Sequence, residues 1–235
     1  MVDRMTPAQI KEMNELQRRY FNENVDIFEP PLPQGVPARL KATVQAGGIQ
    51  PGDKALDVGT GTGILIHYLL KYRPSEIHAC DLAENMLERV KHKFPAVLTH
   101  LCDISELQLP ENSLDIAFIN GCFSNIIDKP KSLQNLYRLL RQKGRLVISH
   151  PLGRDFIVEL KKSTPFQLDL LPDETEARAL LENHGFVRVH QSHLVNFRYV
   201  RGFEKKDGGY LLLKNGDLVA VSVRKKAEVM GRLEE

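Results

Sequence analysis

The chain lacks three features that would place a protein directly in a functional class: a long apolar run, a strong charge bias and cysteines at zinc-binding spacing. No stretch approaches the roughly 18 uninterrupted apolar residues that a membrane-spanning helix needs, so we expect no membrane partner. The first residues, MVDRMTPAQI, carry charges and no apolar signal core. This predicts a cytoplasmic protein without a secretory signal.

The cysteines are few and irregularly spaced. Cys80, Cys102 and Cys122 are odd in number, and no pair of them has the short spacing typical of a zinc site. The pattern predicts reduced thiols in a cytosolic protein and no metal site. All three fall at or just beyond predicted strand ends, where small, half-buried packing residues are favoured over a redox pair.

Charge is nearly balanced, with 32 Lys and Arg against 30 Asp and Glu and a net charge of +2. This balance predicts no nucleic-acid partner. The proline cluster between Pro30 and Pro37 is the only compositional break in the 235 residues. We therefore predict a single domain over 1–235, with 1–46 as an N-terminal helical and proline-rich segment and 47–235 as the core. The oligomeric state is not indicated.

Strand and helix patterns alternate from Lys54 onward. The predicted strands are 54–58, 76–80, 96–101, 114–119 and 145–149. Repeated strand–helix units imply an α/β fold with a parallel sheet and right-handed crossovers. Beyond them, 186–193, 210–213 and 218–223 also read as strands, and Asn215-Gly216 is a hairpin signal that predicts an antiparallel edge to the sheet.

The stretch ALDVGTGTGIL, from Ala55 to Leu65, is the strongest local signal. An apolar strand that carries Asp57 breaks into three alternating glycines and restarts as an apolar helix. Glycine lets a ligand approach the backbone, and a helix N-terminus leaves N–H groups free for it. The stretch therefore predicts a nucleotide-type site.

Polar residues end three further predicted strands: Asp81, Asp103 and the pair Asn120-Gly121. Ligands of such sheets bind at the carboxyl ends of the strands, so these residues are expected in one cleft. Asp81 lies 18 residues after Gly63, a distance typical of the acid that binds the two ribose hydroxyls. Asp81 was also expected to cap the following helix.

The loop matches neither common phosphate-binding motif. The dinucleotide pattern G-x-G-x-x-G needs glycine where this chain has Ile64 or Ile66. No lysine occurs between Lys54 and Lys71, which argues against a nucleoside triphosphate. What is present is D-x-G-x-G-x-G.

With these strand ends, the sequence resembles the class I S-adenosylmethionine-dependent methyltransferases. The matching pieces are LDVGTGTG, ACDLAENML, LCDISELQLPENSLDIAFING and LLRQKGRLVIS, which together cover 54–149 in the family's order. The resemblance implies a Rossmann-like doubly wound sheet of seven strands, mostly parallel, with an antiparallel hairpin at its C-terminal edge and an N-terminal helical lid. It also implies S-adenosyl-L-methionine as cofactor and S-adenosyl-L-homocysteine as product.

The resemblance further implies a set of cofactor-binding residues. The methionine part would lie on the glycine turn beside Asp57, the ribose on Asp81, and the adenine between Leu82, Met86 and Ile104 with its amino group on Asp103. The full set is Asp57, Gly59, Thr60, Gly61, Gly63, Asp81, Leu82, Met86, Asp103, Ile104, Asn120 and Gly121.

Fewer residues are candidates for the methyl acceptor. His150 follows the fifth strand and is a candidate general base, although a structural strand-end histidine is the favoured interpretation. Tyr20 and Phe21, with Phe28, resemble the aromatic N-terminal lid of small-molecule members of the family and are candidate substrate residues. They also suit a plain core covering the sheet.

The sequence therefore predicts a methyltransferase that acts on a small molecule. Alternatives are a protein or RNA acceptor, a non-catalytic S-adenosylmethionine-binding protein, and a nicotinamide oxidoreductase. Strand four is followed by Asn120-Gly121-Cys122-Phe123 rather than by an N-P-P-Y-like sequence, which disfavours methylation of a planar amine in a base or amide.

Overall fold

A computed structural model of the chain describes residues 5–182, 186–190, 193–196, 200–204, 209–213 and 218–234. The chain forms two compact units, Met1–Leu171 and Pro172–Glu235, where the sequence suggested one domain. No helix in the described ranges is both long and apolar enough to cross a bilayer.

The first unit alternates helices and strands as predicted. Its elements are α1 (Pro7–Glu23), α2 (Val36–Gly47), β1 (Lys54–Val58), α3 (Ile66–Leu69), β2 (Glu76–Asp81), α4 (Glu84–Lys93), β3 (Leu98–Leu101), β4 (Leu114–Asn120), α5 (Lys129–Leu139), β5 (Leu140–Ser149) and α6 (Gly153–Leu160). Helix α1 begins with a capping box, in which Gln9 N–H donates to Thr6 Oγ1 at 3.3 Å and Thr6 N–H to Gln9 Oε1 at 2.8 Å.

The five strands form one sheet in the order β3-β2-β1-β4-β5, and every neighbouring pair is parallel. Four of the five residues of β1 are buried, because the strand is central and helices cover both of its faces. The order reverses beside β1, so the carboxyl ends of β1 and β4 flank the crevice where ligands bind in such folds. The predicted parallel α/β core is confirmed.

The helix after the glycine turn is shorter than predicted. We expected it from about Gly63 to Tyr72, but α3 spans Ile66–Leu69 and continues as a 3-10 turn over Leu70–Tyr72. Gly61 and Gly63 have φ of +53° and +83°, outside the helical region, so the chain turns before it can coil.

The second unit contains α7 (Glu174–Glu182), β6 (Phe186–His190), β7 (His193–Asn196), β8 (Val200–Glu204), β9 (Tyr210–Leu213), β10 (Leu218–Ala220) and α8 (Lys226–Glu234). Strands β6 and β7 pair as an antiparallel hairpin, and β8, β9 and β10 form an antiparallel sheet. Leu211, Val221 and Val229 form its small core.

The prediction of a seven-stranded sheet with a C-terminal hairpin at its edge was wrong. The core sheet has five strands, and the predicted hairpin strands β9 and β10 pair with each other and with β8 in a separate sheet. Alternating apolar residues specify a hairpin locally but do not specify the sheet that it joins. The turn residues Asn215-Gly216 lie outside the described residues.

Candidate functional site

The glycine turn after β1 is held in a conformation that only glycine adopts easily. Gly59 has φ of +59°, and a Cβ there would lie 2.6 Å from Cys122 Sγ. Gly61 has φ of +53°, but a Cβ there would meet nothing within 4 Å. Gly59 is therefore needed for packing against the β4 end, whereas Gly61 leaves open space on the cavity side.

Asp57 lies in the buried end of β1, with 2% of its surface exposed. Its Oδ2 accepts a hydrogen bond from Thr60 Oγ1 at 2.8 Å. Burial raises the pKa of Asp57 to about 7, because the carboxylate leaves water and no described cation faces it. A ligand cation would supply the missing partner.

Asp81 ends β2 and is bound by two backbone groups. Its Oδ2 accepts from Gly61 N–H at 2.9 Å, and its Oδ1 accepts from Ala83 N–H at 3.0 Å. Burial raises the pKa of Asp81 despite these bonds. The predicted capping role is wrong in detail, because α4 begins after Ala83 and has no side-chain cap. Asp81 instead ties the glycine turn to the start of α4.

Asp103 lies beside helix α1. Its Oδ1 accepts from Ser105 N–H at 2.7 Å, and its Oδ2 accepts from Asn14 Nδ2 at 3.0 Å. The remaining oxygen of Asn14 is buried without a partner. Asn14 does not line the cavity, so the acceptor that a ligand amino group can reach at this corner is the Asp103 carboxylate.

The predicted cofactor residues surround one cavity of about 440 Å³. Eleven of the twelve line it: Asp57, Gly59, Thr60, Gly61, Asp81, Leu82, Met86, Asp103, Ile104, Asn120 and Gly121. Gly63 does not line it, and its part in cofactor binding stays a prediction. A Cβ at Gly63 would lie 3.0 Å from Phe94 and 3.2 Å from Val90, so this glycine allows the turn to pack against α4.

Asn120 and Gly121, at the end of β4, are joined to the end of β5. Ser149 Oγ donates to Asn120 Oδ1 at 3.0 Å, and Gly121 N–H donates to Ser149 O at 2.9 Å. These bonds hold the two strand ends together where they line the cavity.

The N-terminal segment contacts the strand ends directly. Arg18 of α1 pairs with Glu84 of α4, and Gln17 Nε2 donates to Asn125 O at 2.9 Å. Tyr20 and Phe21 line the cavity and pack with Phe28 and Phe166, with ring centroids 5.2 to 5.9 Å apart. Their use as substrate residues stays a prediction.

The three cysteines lie at strand ends on the cavity side, as expected. Cys122 Sγ donates to Val58 O at 3.0 Å. Burial raises the pKa of each thiol, that of Cys102 to about 11. All three are therefore protonated near neutral pH. In the described part of the chain no three His, Cys, Asp or Glu side chains converge as metal ligands.

Sequence reasoning missed the apolar wall of the cavity. Its members come from α6, the turn before it and the connection after it: Leu152, Phe156, Leu160, Phe166 and Leu168, joined by Ile126. No motif marks them, because an apolar side chain that faces a cavity has the same sequence pattern as one in a core.

Comparison with known proteins agrees with this site. Residues 56–148 match the family model described as a methyltransferase domain. The chain is 30% identical over 150 residues to malonyl-[acyl-carrier protein] O-methyltransferase of Halorhodospira halophila, which covers 61% of this chain and 50% of the relative. It is 27% identical over 197 residues to ubiquinone/menaquinone biosynthesis C-methyltransferase UbiE of Vibrio vulnificus, which covers 74% and 75%. The chain thus spans about half the length of the first relative.

Solved structures show the same fold. Burkholderia thailandensis 1,6-didemethyltoxoflavin-N1-methyltransferase, with its substrate and S-adenosylhomocysteine bound, matches with a TM-score of 0.59 at 22% identity over 80% of this chain and 84% of that one. Haemonchus contortus phosphoethanolamine N-methyltransferase 2 matches with a TM-score of 0.58 at 24% identity over 78% and 45%.

The fold and the carboxyl-end site define a class I methyltransferase. Residues 56–148 form the methyltransferase domain, and S-adenosylmethionine is the cofactor that this match and the relatives support. The cavity fits that molecule, which carries an ammonium and a sulfonium. Three carboxylates and no Lys or Arg are found among its described lining residues, and Gly61 leaves open space.

A second family model matches the other unit. Residues 175–234 match the model described as a LytTr DNA-binding domain. This match opposes the expectation of no nucleic-acid partner. That expectation used the net charge of the whole chain, whereas the matched range 175–234 alone holds eleven Lys and Arg against seven Asp and Glu.

Proposed function

We propose that the first unit transfers the methyl group of S-adenosylmethionine to a small-molecule acceptor. The observation that carries the proposal is one cavity, in which the polar strand ends continue into an apolar wall. A concave, mostly apolar cavity suits a small molecule better than a folded macromolecule. The UbiE and toxoflavin methyltransferases, to which the chain is similar, are named for small-molecule acceptors.

In this proposal each strand end binds one part of the cofactor. Asp57 pairs with its ammonium, Asp81 accepts from its ribose hydroxyls, and Asp103 accepts from its adenine amino group. Leu82, Met86 and Ile104 flank the adenine, and Asn120 and Gly121 lie at the methionine end. When bound, the cofactor supplies an activated methyl group.

The function is tested by incubating the protein with labelled methyl donor and a metabolite extract fractionated by size. Label is expected in the small-molecule fraction. Label confined to protein or RNA would instead support the macromolecular alternatives, and binding without transfer would support the non-catalytic one. Because the malonyl relative acts on a carrier-bound acyl group by its name, carrier-bound acceptors are assayed as a separate fraction.

We expect Asp81→Ala to weaken the binding of S-adenosylhomocysteine by roughly 1–3 kcal/mol, because the ribose hydroxyls lose their acceptor. Calorimetry measures this loss. Glu88→Ala, an exposed acid on α4, is the control and should bind like the wild type. Unchanged affinity in Asp81→Ala would remove this residue from the ribose site.

We also propose that the second unit binds DNA. The match of 175–234 to a DNA-binding domain carries this proposal. Charge supports it over the matched range: residues 175–234 hold eleven Lys and Arg against seven Asp and Glu, whereas 1–174 hold 21 against 22. The whole-chain value of +2 therefore conceals a basic C-terminal segment.

DNA binding is tested with the full chain and a labelled double-stranded DNA of random sequence, by fluorescence anisotropy at two salt concentrations. We expect binding that weakens steeply with salt, because contacts to phosphates release counterions. Arg201→Glu with Arg224→Glu, both exposed in the second unit, should weaken it by at least about tenfold. Lys11→Glu with Lys41→Glu, exposed in the first unit, makes the same charge change and should not. Equal loss in both pairs, or no binding, would contradict the proposal.

A further inference from the structure

The ring of His150 is oriented by the backbone that follows it. Leu152 N–H donates to His150 Nδ1 at 3.2 Å, and the ring packs against Phe156 with centroids 5.8 Å apart and an interplanar angle of 30°. A nitrogen that accepts a hydrogen bond carries no proton, so the neutral ring has its proton on Nε2. Burial lowers the pKa of His150, which favours this neutral form near pH 7.

The other ring nitrogen faces no protein acceptor. His150 lines the cavity, and none of the described residues accepts a hydrogen bond from its Nε2. This atom is also not one of the buried polar atoms that lack a partner. Nε2–H is therefore a donor that a ligand can reach.

The shown neighbours of the His150 ring are apolar side chains of the cavity wall. Leu152 and Phe156 contact the ring, and the same wall contains Ile126, Leu160, Phe166 and Leu168. The carboxylates of the cavity all belong to the strand ends β1, β2 and β3, and no Lys or Arg is found among the described lining residues. A phosphate or carboxylate of the acceptor would be buried here without a cation, at a cost of several kcal/mol.

Apolar surface also continues from the cavity to solvent. Ile27 and Phe156 both line the cavity, yet they are 71% and 40% exposed. An exposed apolar rim of this kind lowers the cost of admitting a molecule with apolar surface of its own. It offers no charge that would attract an ionic acceptor.

We propose that His150 orients the acceptor by donating a hydrogen bond from Nε2 to an oxygen of an otherwise apolar, uncharged molecule. The acceptor class is thus an aromatic or alicyclic compound with a carbonyl or hydroxyl oxygen. This deepens the small-molecule activity proposed above and rests on it for the reaction. His150 does not then take up a proton as the general base considered from the sequence, because its Nε2 already carries one.

The donor role is tested by binding, without any methyl transfer. Protein saturated with S-adenosylhomocysteine is titrated with acetophenone, which only accepts hydrogen bonds, and with ethylbenzene, which has no oxygen. We expect the wild type to bind acetophenone about tenfold more tightly than ethylbenzene, because a tenfold ratio of affinities corresponds to one net hydrogen bond. His150→Phe should bind the two compounds equally. His92→Phe, an exposed histidine on α4, is the control. Phosphoethanolamine should not compete.

Three results would overturn the inference: equal affinities in the wild type, a preference that persists in His150→Phe, or tighter binding of phosphoethanolamine. Unchanged affinity of His150→Phe for S-adenosylhomocysteine verifies that the variant is folded. The screen for methyl acceptors could fail while acetophenone is still preferred over ethylbenzene. That outcome would reject the proposed methyl transfer but would keep His150 as a hydrogen-bond donor.

Nitrogen NMR of histidine-labelled protein tests the tautomer directly. The His150 signals are identified by their absence in His150→Phe. At pH 7.5 we expect a proton-bearing Nε2 and an unprotonated Nδ1. The opposite pattern would leave Nε2 as an acceptor and would return His150 to the role of a base.

Discussion

Asp57→Asn should leave the protein folded but weaken its binding of S-adenosylhomocysteine by at least about 100-fold, because a buried ion pair loses one partner. The amide oxygen of Asn can still accept from Thr60 Oγ1, so the local packing is kept. What is lost is the negative charge that we propose to face the cofactor ammonium. Calorimetry against the wild type measures the effect, and unchanged affinity would place the ammonium elsewhere.

The same variant should be more stable than the wild type at high pH. The pKa of Asp57 is about 7 in the folded chain against 3.8 ordinarily. Between these values the folded state holds a proton that the unfolded state has lost, so the stability from Asp57 falls as the pH rises and is gone above about 7. Urea unfolding should show the variant gaining roughly 2–4 kcal/mol on the wild type between pH 4 and pH 8. A constant difference would contradict this assignment.

The affinity of the wild type for the cofactor should rise with pH, whereas the stability contributed by Asp57 falls. A ligand ammonium favours the ionised carboxylate, so binding below pH 7 must release the proton of Asp57. We expect affinity for S-adenosylhomocysteine to rise from about pH 6 to pH 8 and then level off. In Asp57→Asn this rise should be absent.

Gly59→Ala and Gly61→Ala should separate folding from binding at two positions of one turn. At Gly59 the new Cβ would lie 2.6 Å from Cys122 Sγ and 2.7 Å from Cys122 Cβ. Overpacking and a positive φ together should cost roughly 2–5 kcal/mol of the free energy of unfolding. At Gly61 only the φ cost of roughly 1–2 kcal/mol applies, but the methyl group enters the cavity and should weaken cofactor binding by at least about tenfold.

Urea unfolding and calorimetry on both variants provide the measurements. Adding Cys122→Gly to Gly59→Ala removes both close contacts, so the double variant should regain the overpacking part of the loss. Equal destabilisation of the two single variants would mean that Cys122 moves aside and that the turn does not depend on it.

The sequence predicted those parts of the site in which the local backbone conformation or the fold restricts which residue type can stand at a position. A buried strand that carries Asp57 and enters a turn with φ of +59° at Gly59 and +53° at Gly61 leaves few alternatives. Asp81 and Asp103 were placed correctly because parallel strands bring their carboxyl ends to one edge. In a parallel sheet, the position of a residue at a strand end in the sequence therefore also places it at the cleft.

The parts that were missed depend on long-range packing. Gly63 lies in the same motif, but its close neighbours Val90 and Phe94 come from α4 and just beyond it, some 30 residues later. Leu160 and Phe166 line the cavity only because the chain returns across the strand ends after β5. Strands β9 and β10 were assigned to the core sheet because hairpin signals carry no information about the partner sheet, and β8 was not predicted.

The distribution of charge in the cavity has a consequence for turnover. Asp57, Asp81 and Asp103 make one end of the cavity negative, and no Lys or Arg opposes them among the described lining residues. A positive sulfur is attracted there, and after transfer the same sulfur is neutral. The electrostatic attraction therefore holds the donor more firmly than the spent product. In the proposed methyl transfer, loss of the positive charge on sulfur would therefore remove one of the forces that retain the molecule and would favour exchange of product for fresh donor.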